Sequence, residues 1–188
     1  MSQPEIGIAD LVHGFAFHIK AIKAPGTQEA TIRQNYLDPF WRAQGWDVGD
    51  TVQCGPAESE VIIEKTVETV DASGLRYRRP DYLFRLGGFP RFIVKAKKPS
   101  VDIDTDLEAI FQAKQYAWNS TMPFAILTNF EQFRLYDTTL KPILNDPRRG
   151  LIKEFSLNYD SYESQWDALV NTFVSCCARQ CLARATNN

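Results

Sequence analysis

The sequence predicts an α/β fold, a mixed sheet of four or five strands flanked by helices. Three observations carry this. Residues 80–98 alternate core-type and outward-facing side chains on either side of Gly87-Gly88-Phe89-Pro90, the pattern of a β-hairpin. Apolar residues recur at helical spacing before this stretch and again after it. A second hairpin pattern at 124–137, followed by a last helical stretch, gives the order helix, helix, strands, hairpin, helix, hairpin, helix.

The first helix is predicted from about Ile6 to Lys23, with Ile8, Leu11, Val12, Phe15, Ile19 and Ile22 on one stripe and Pro25-Gly26 as the stop. His13 and His18 lack the i, i+4 spacing of a helical metal site and receive no role. Thr27 is the expected N-cap of a second helix, with Ile32, Tyr36, Leu37, Phe40 and Trp41 as its stripe and Gly45 at C′. Pro39 should bend or split it. Short strands follow at Val61–Ile63 and Thr66–Val70, the latter before a turn at Asp71-Ala72-Ser73-Gly74. After the central hairpin, Asp102 or Asp104 is expected to cap a helix through Trp118 that turns Leu107, Ile110, Phe111 and Trp118 inward. Phe124–Thr128 and Gln132–Asp137 pair across Asn129-Phe130-Glu131. Residues 138–150 read as loop, and Tyr162, Trp166, Leu169, Val170, Phe173 and Val174 mark the last helix. The tail from Ala183 has little to anchor it.

In the central hairpin, Tyr82, Phe84 and Leu86 share a face with Phe92, Val94 and Ala96, and that face belongs in a core. Asp81, Leu83 and Arg85 point the other way, with Arg91, Ile93, Lys95 and Lys97. A three-residue loop, Gly87-Gly88-Phe89, would pair Leu86 with Pro90 and set Asp81 opposite Lys95. One carboxylate and two ammonium groups then meet at the open end, and this is the candidate site.

At 188 residues, 44% hydrophobic and 23% charged, the chain suits one domain or one domain with a helical extension. No apolar run has the length of a membrane span, and the start lacks the pattern of a secretory signal. Cys54, Cys176, Cys177 and Cys181 form no disulfide framework or zinc spacing, so a cytoplasmic setting is expected. The net charge of −2 excludes a generally basic coat. Residues 76–98 nevertheless carry eight basic side chains and one acid, +7 against −9 for the remainder. A local patch of this kind suits a polyanion, or is simply a solvated face.

Hydrolysing a phosphodiester at neutral pH takes a metal held by carboxylates and a cation near the attacking water. Pro80-Asp81 followed by Lys95-Ala96-Lys97-Lys98-Pro99 resembles the PD-(D/E)xK nuclease motif. It is most similar to the amino-terminal endonuclease domains of Type I and single-chain Type IIG restriction–modification enzymes, which read Glu-Ala-Lys-Lys-Pro at the second half. Gln28-Glu29-Ala30-Thr31-Ile32-Arg33 resembles the first helix of that family, whose glutamate lies near the metals. Gln112-Ala113-Lys114-Gln115-Tyr116 resembles the Gln-x-x-x-Tyr signature of the recombination-nuclease branch. The resemblance covers about residues 25–140. It implies a restriction-endonuclease-like fold, Mg²⁺ held by Asp81, a residue-95 carboxylate and the Ala96 carbonyl, and Lys97 acting on the attacking water. Glu29 would tune the metal or water network, and Gln112 and Tyr116 would steady the scissile strand of double-stranded DNA. Arg76, Arg78, Arg79, Arg91 and Lys98 would grip its backbone. Without the resemblance, Asp81 also reads as a strand-end acid beside Arg79, Glu29 as a favourable helix-start residue, and Gln112 with Tyr116 as a packed helix face.

The departure is Lys95, an ammonium where the pattern has a metal-binding carboxylate. It removes a ligand and adds a like charge, worth about 4 kcal/mol per unit charge at about 4 Å and an effective dielectric of about 20. Mg²⁺ binding and cleavage are therefore expected to be severely weakened, unless Glu29, Asp102 or Glu108 substitutes as ligand. The expected organisation is an N-terminal helix (1–26), a nuclease core (27–140) and a connector (141–188) to helicase, methyltransferase or specificity domains outside this chain. The alternatives are a non-catalytic nucleic-acid-binding or partner-docking module on the same fold, and a nuclease of structured RNA.

Overall fold

The computed structural model describes residues 6–49, 59–63, 67–71, 74–78 and 80–173, with the backbone alone for 67–71 and 74–78. The four cysteines, Arg79, Val174 and the tail lie outside them. The helix α1 (Ile8–Ile22) buries Leu11, Val12, Phe15 and Ile22, the predicted stripe. A short helix α2 (Glu29–Ile32) runs through one π turn (Arg33–Leu37) into α3 (Asp38–Ala43). Pro39, which has no N–H to donate, falls in the first turn of α3, where none is required of it. The N-cap of α2 is Gln28 rather than Thr27, whose hydroxyl donates to the carbonyl of Ala21 instead. Gly45 follows α3 with φ +91°, the left-handed conformation that glycine takes without penalty.

The sheet has six strands, not four or five. They are β1 (Val61–Ile63), β4 (Tyr82–Leu86), β5 (Phe89–Ala96), β6 (Phe124–Thr128), β7 (Gln132–Asp137) and β8 (Leu151–Asn158), adjacent in that order. Only β5 and β6 run parallel, joined by the crossover helix α4 (Leu107–Asn119). The strands β2 (Val67–Asp71) and β3 (Gly74–Arg78) form a separate antiparallel pair. β8 accounts for much of the difference in count. Its burial is irregular rather than alternating, so it carries little period-2 signal, and it begins after Gly150, where a Cβ would stand 2.8 Å from the Asp137 carbonyl oxygen. The sheet thus continues past residue 140, and α5 (Trp166–Phe173) packs Leu169 and Phe173 into the same core as α1.

The β4–β5 turn is a two-residue Gly87-Gly88 loop with φ of +59° and +82°, not the expected three-residue loop. Two consecutive positive φ values match the twist of antiparallel strands, and glycine supplies them at least cost. Leu86 therefore pairs with Phe89. A bulge at Arg91 absorbs one residue, and Phe84 pairs with Phe92 and Tyr82 with Val94. The two differences cancel, so the expected register at the open end is the one observed.

Both faces of the sheet are covered. Tyr82, Phe84, Phe92, Val94 and Ala96 enter the principal core with Phe40, Trp41, Trp46 and Phe133. Phe84 and Phe92 stack at 4.5 Å, and Trp41 tilts against Phe84 at 4.7 Å. On the other face Leu83 and Ile93 meet α4. That helix does not turn Leu107, Phe111 and Trp118 inward as expected; Leu107 and Trp118 are exposed and Phe111 is half-buried. Ile110 is buried as expected, with Tyr116, and Ala109, Ala113 and Ala117, spaced by one turn, let the backbone approach the sheet closely beside them.

Lys114, fully buried on α4, donates to the carbonyls of Pro147 and Arg149 and so ties down the 138–150 loop. Burial lowers its pKa. Arg134 forms a bidentate pair with Asp104, 2.7 Å at both contacts, and donates to the Leu157 carbonyl. This bond set fastens the 99–106 connection to β7 and β8.

Two stability measurements follow. Ala117→Leu should lower the unfolding free energy in urea by about 1–3 kcal/mol through overpacking against Ile93 and Leu83. Arg134→Met should cost about 2–3 kcal/mol, because Asp104 and the Leu157 carbonyl lose a charged donor.

Candidate active site

The open end of the hairpin is shaped by one carboxylate. Asp81 lies one residue before β4 and is 6% exposed. Its backbone N–H bonds the Val94 carbonyl at 3.1 Å, which fixes it opposite Lys95. Its Oδ2 accepts from Lys95 Nζ at 2.8 Å and from the Ala96 N–H at 2.7 Å, while Oδ1 lies 3.5 Å from Arg33 Nη1. Glu29, the first residue of α2, places Oε1 3.8 Å from the same Lys95 ammonium. The ammonium thus stands between two carboxylates from different elements.

The start of α2 and the π turn lie over this end of the hairpin. Arg33, four residues after Glu29, sits 5.4 Å from the Tyr82 ring centroid, and the Tyr82 hydroxyl donates to Asp38 at 2.6 Å. Burial, with the adjacent Asp38 charge, holds the Tyr82 hydroxyl protonated. Burial also raises the Glu29 pKa, and the Asp81 charge adds to it, with Lys95, Lys97 and Arg33 pulling the other way. Glu29, Asp81, Lys95 and Lys97 are therefore one electrostatic cluster. The Lys97 ammonium lies 3.2 Å from Asp106 Oδ2.

The other expected residues do not join this cluster. Gln112 donates to Glu108 at 2.6 Å on the same helix. Tyr116 is buried against Leu83 and Ile93, and its hydroxyl has no hydrogen-bond partner among the described residues. Burial raises its pKa. Arg91 occupies the bulge and is exposed, and Lys98 is half-exposed beyond β5. Arg76 and Arg78 lie on β3, where only backbone is described. The cap of α4 is Asp106, not Asp102 or Asp104, because both of those are committed elsewhere. Asp102 accepts from the Asp104 N–H and from Gln132, and Asp104 holds Arg134.

Arg33 and Asp106 are the two residues that sequence reasoning missed. Arg33 lies four residues after Glu29, one helical turn on, so its placement beside the site has a signal in the sequence. Asp106 is one of three aspartates in five residues, and spacing alone could not choose among them.

These residues do not fit Mg²⁺. The Asp81 oxygen that would bind an ion already carries an ammonium and an amide hydrogen. The candidate substitutes are engaged, Asp102 by Gln132 and Glu108 by Gln112. Among the described residues no group of three His, Cys, Asp or Glu could hold a metal. No described helix is long and apolar enough to cross a membrane.

Residues 61–142, from β1 through the second hairpin, match the family model of the Type I restriction enzyme R protein N terminus. The chain is 31% identical over 127 residues to the Type II restriction enzyme and methyltransferase RM.Eco57I of Escherichia coli, a span of 68% of this chain and 12% of that protein. A solved fragment assigned to an HsdR subunit of a type I restriction enzyme from Vibrio vulnificus YJ016 is 22% identical, covering 74% of this chain and 25% of that one, with a TM-score of 0.44. The central hairpin, α4 and the β6–β7 pair all fall within the matched residues, and that stretch is similar to the N-terminal domain of Type I restriction enzyme R proteins.

Proposed function

We propose that this is the DNA-cleaving domain of a larger restriction–modification enzyme, and that Lys95 disables it. One observation carries the reading. The Lys95 ammonium bonds Asp81 at 2.8 Å and stands 3.8 Å from Glu29, the two acids that would help to hold a divalent ion. It offsets part of their charge, but it has no coordination sites with which to activate a bound water as hydroxide. With glutamate at 95, the end of the hairpin would present three carboxylates, and Lys97 would stand beside them as the cation for developing negative charge.

In this reading the remaining basic residues serve affinity rather than chemistry. Lys98, just past the site, and Arg91, toward the turn end of the hairpin, would contact double-stranded DNA through phosphates, without reading sequence. Target recognition and fuel use belong to other domains of the enzyme, whose cytoplasmic setting follows from its substrate. The competing reading, a nucleic-acid-binding or docking module on the nuclease fold, has the same support from Lys95 and differs in what restoration does.

A plasmid-nicking assay in Mg²⁺ and in Mn²⁺ separates them. Lys95→Glu should nick supercoiled DNA while the native chain does not, and its thermal midpoint should rise on adding either ion while the native midpoint stays fixed. Inactivity of both chains favours the docking module. Robust cleavage by the native chain refutes the role given to Lys95.

The fixed-cation role has its own check. A double-mutant cycle of Asp81→Asn with Lys95→Met, followed by urea unfolding, should give a favourable coupling of about 1–2 kcal/mol. Arg91→Ala and Lys98→Ala should each weaken binding to any duplex and flatten the salt dependence by roughly one unit of slope.

A further inference from the structure

We propose that Asp106 is a positioning residue that holds the Lys97 ammonium at the open end of the β4–β5 hairpin by anchoring it to the start of α4. The inference rests on Lys97 being the cation of the nuclease site. Asp106 divides its two oxygens between two tasks. Oδ1 accepts the Ala109 N–H at 2.9 Å and caps α4, while Oδ2 lies 3.2 Å from Lys97 Nζ. The first bond fixes the carboxylate relative to a 13-residue helix, so the second oxygen has little freedom left.

Lys97 is held at both ends. Its backbone N–H bonds the Thr128 carbonyl at 2.9 Å, so β6 anchors its backbone and α4 its head group. A lysine side chain is otherwise a flexible stem with many rotamers. Both side chains are about a quarter exposed, 24% and 27%, enough shielding for the pair to direct the head group. The connection that delivers Asp106 is itself fastened. Asp104 is held by Arg134, its carbonyl accepts from Arg148, and Asp102 accepts from Gln132. The cap therefore sets where the charge of Lys97 stands.

A role in capping alone makes a different prediction, because asparagine caps a helix as well as aspartate does but carries no charge. The ¹H–¹⁵N spectrum of lysine NH₃⁺ groups in the native full chain, with Lys97 assigned through Lys97→Arg, reads the pair directly. The Lys97 signal should be present in the native chain and lost in Asp106→Asn, with the thermal midpoint and the α4 amide signals unchanged. Asp106→Ala, which also removes the cap, should lose the signal and melt lower. In the Lys95→Glu background with Mg²⁺, Asp106→Asn should reduce kcat for nicking about 10- to 100-fold and leave KM for DNA unmoved. Persistence of the Lys97 signal in Asp106→Asn overturns the proposal, as does a fall in its thermal midpoint equal to that of Asp106→Ala. If Lys95→Glu cleaves nothing, the nuclease reading fails on its own, and the spectrum still decides whether Asp106 positions Lys97.

Discussion

The contact between Asp81 and Lys95 governs this end of the molecule. A carboxylate that is 6% exposed needs partners, since an ion without them would cost several kcal/mol to bury. Asp81 receives three, an ammonium, a backbone amide and, more distantly, a guanidinium. Two come from adjacent residues of β5 and the third from the π turn, so satisfying one side chain closes the hairpin, shapes the end of β5 and ties the π turn to both. The same arrangement explains why Lys95 is tolerated. Asp81 and Glu29 stand close enough to need a nearby cation, and the Lys95 ammonium faces both.

The layers around the hairpin are set by side-chain size as much as by hydrophobicity. On one face large aromatic rings fill the space between the sheet and α1, α3 and α5. On the other, a stripe of alanines brings α4 close, and Leu83, Ile93, Tyr116, Met122 and Ala125 complete the packing. Close approach has a consequence for the site. It places the first turn of α4 next to the residues that leave β5, so a helix cap and a strand-end lysine come within one ion pair of each other. Lys114 and Arg134, buried with their charges directed at carbonyls and at Asp104, keep the flanking loops in place around that junction.

Much of this was legible in the chain, for identifiable reasons. Alternation from Tyr82 to Ala96 fixed the faces of the hairpin, because a one-residue slip would turn Phe84 and Val94 to the other side. The turn was misjudged by one residue and the register survived, since burial of Phe92 and Val94 on the core face determines pairing more strongly than loop length does. The strand β8 was missed because its residues are intermediate or exposed over most of their length, and its pairing with β7 is what makes it a strand. On α4 the large apolar residues mark the inward face only in part: Ile110 is buried, but Leu107 and Trp118 are exposed and alanines take their place. A helix lying on a sheet at short range selects small ones.

By itself, then, the sequence determined the order of elements, the hairpin that carries Asp81 opposite Lys95, and the motif that these residues resemble. Those features are local, written in periods of 2 and 3.6 residues and in short runs of residue types. Tertiary structure alone decided which charges meet: Lys95 with Glu29, Arg33 with Asp81, Lys97 with Asp106, and Tyr116 with an apolar cluster rather than the site. Such meetings depend on how closely helices approach the sheet and on where a connection is fastened. These distances are set by the packing of the whole domain, and no stretch of sequence contains them.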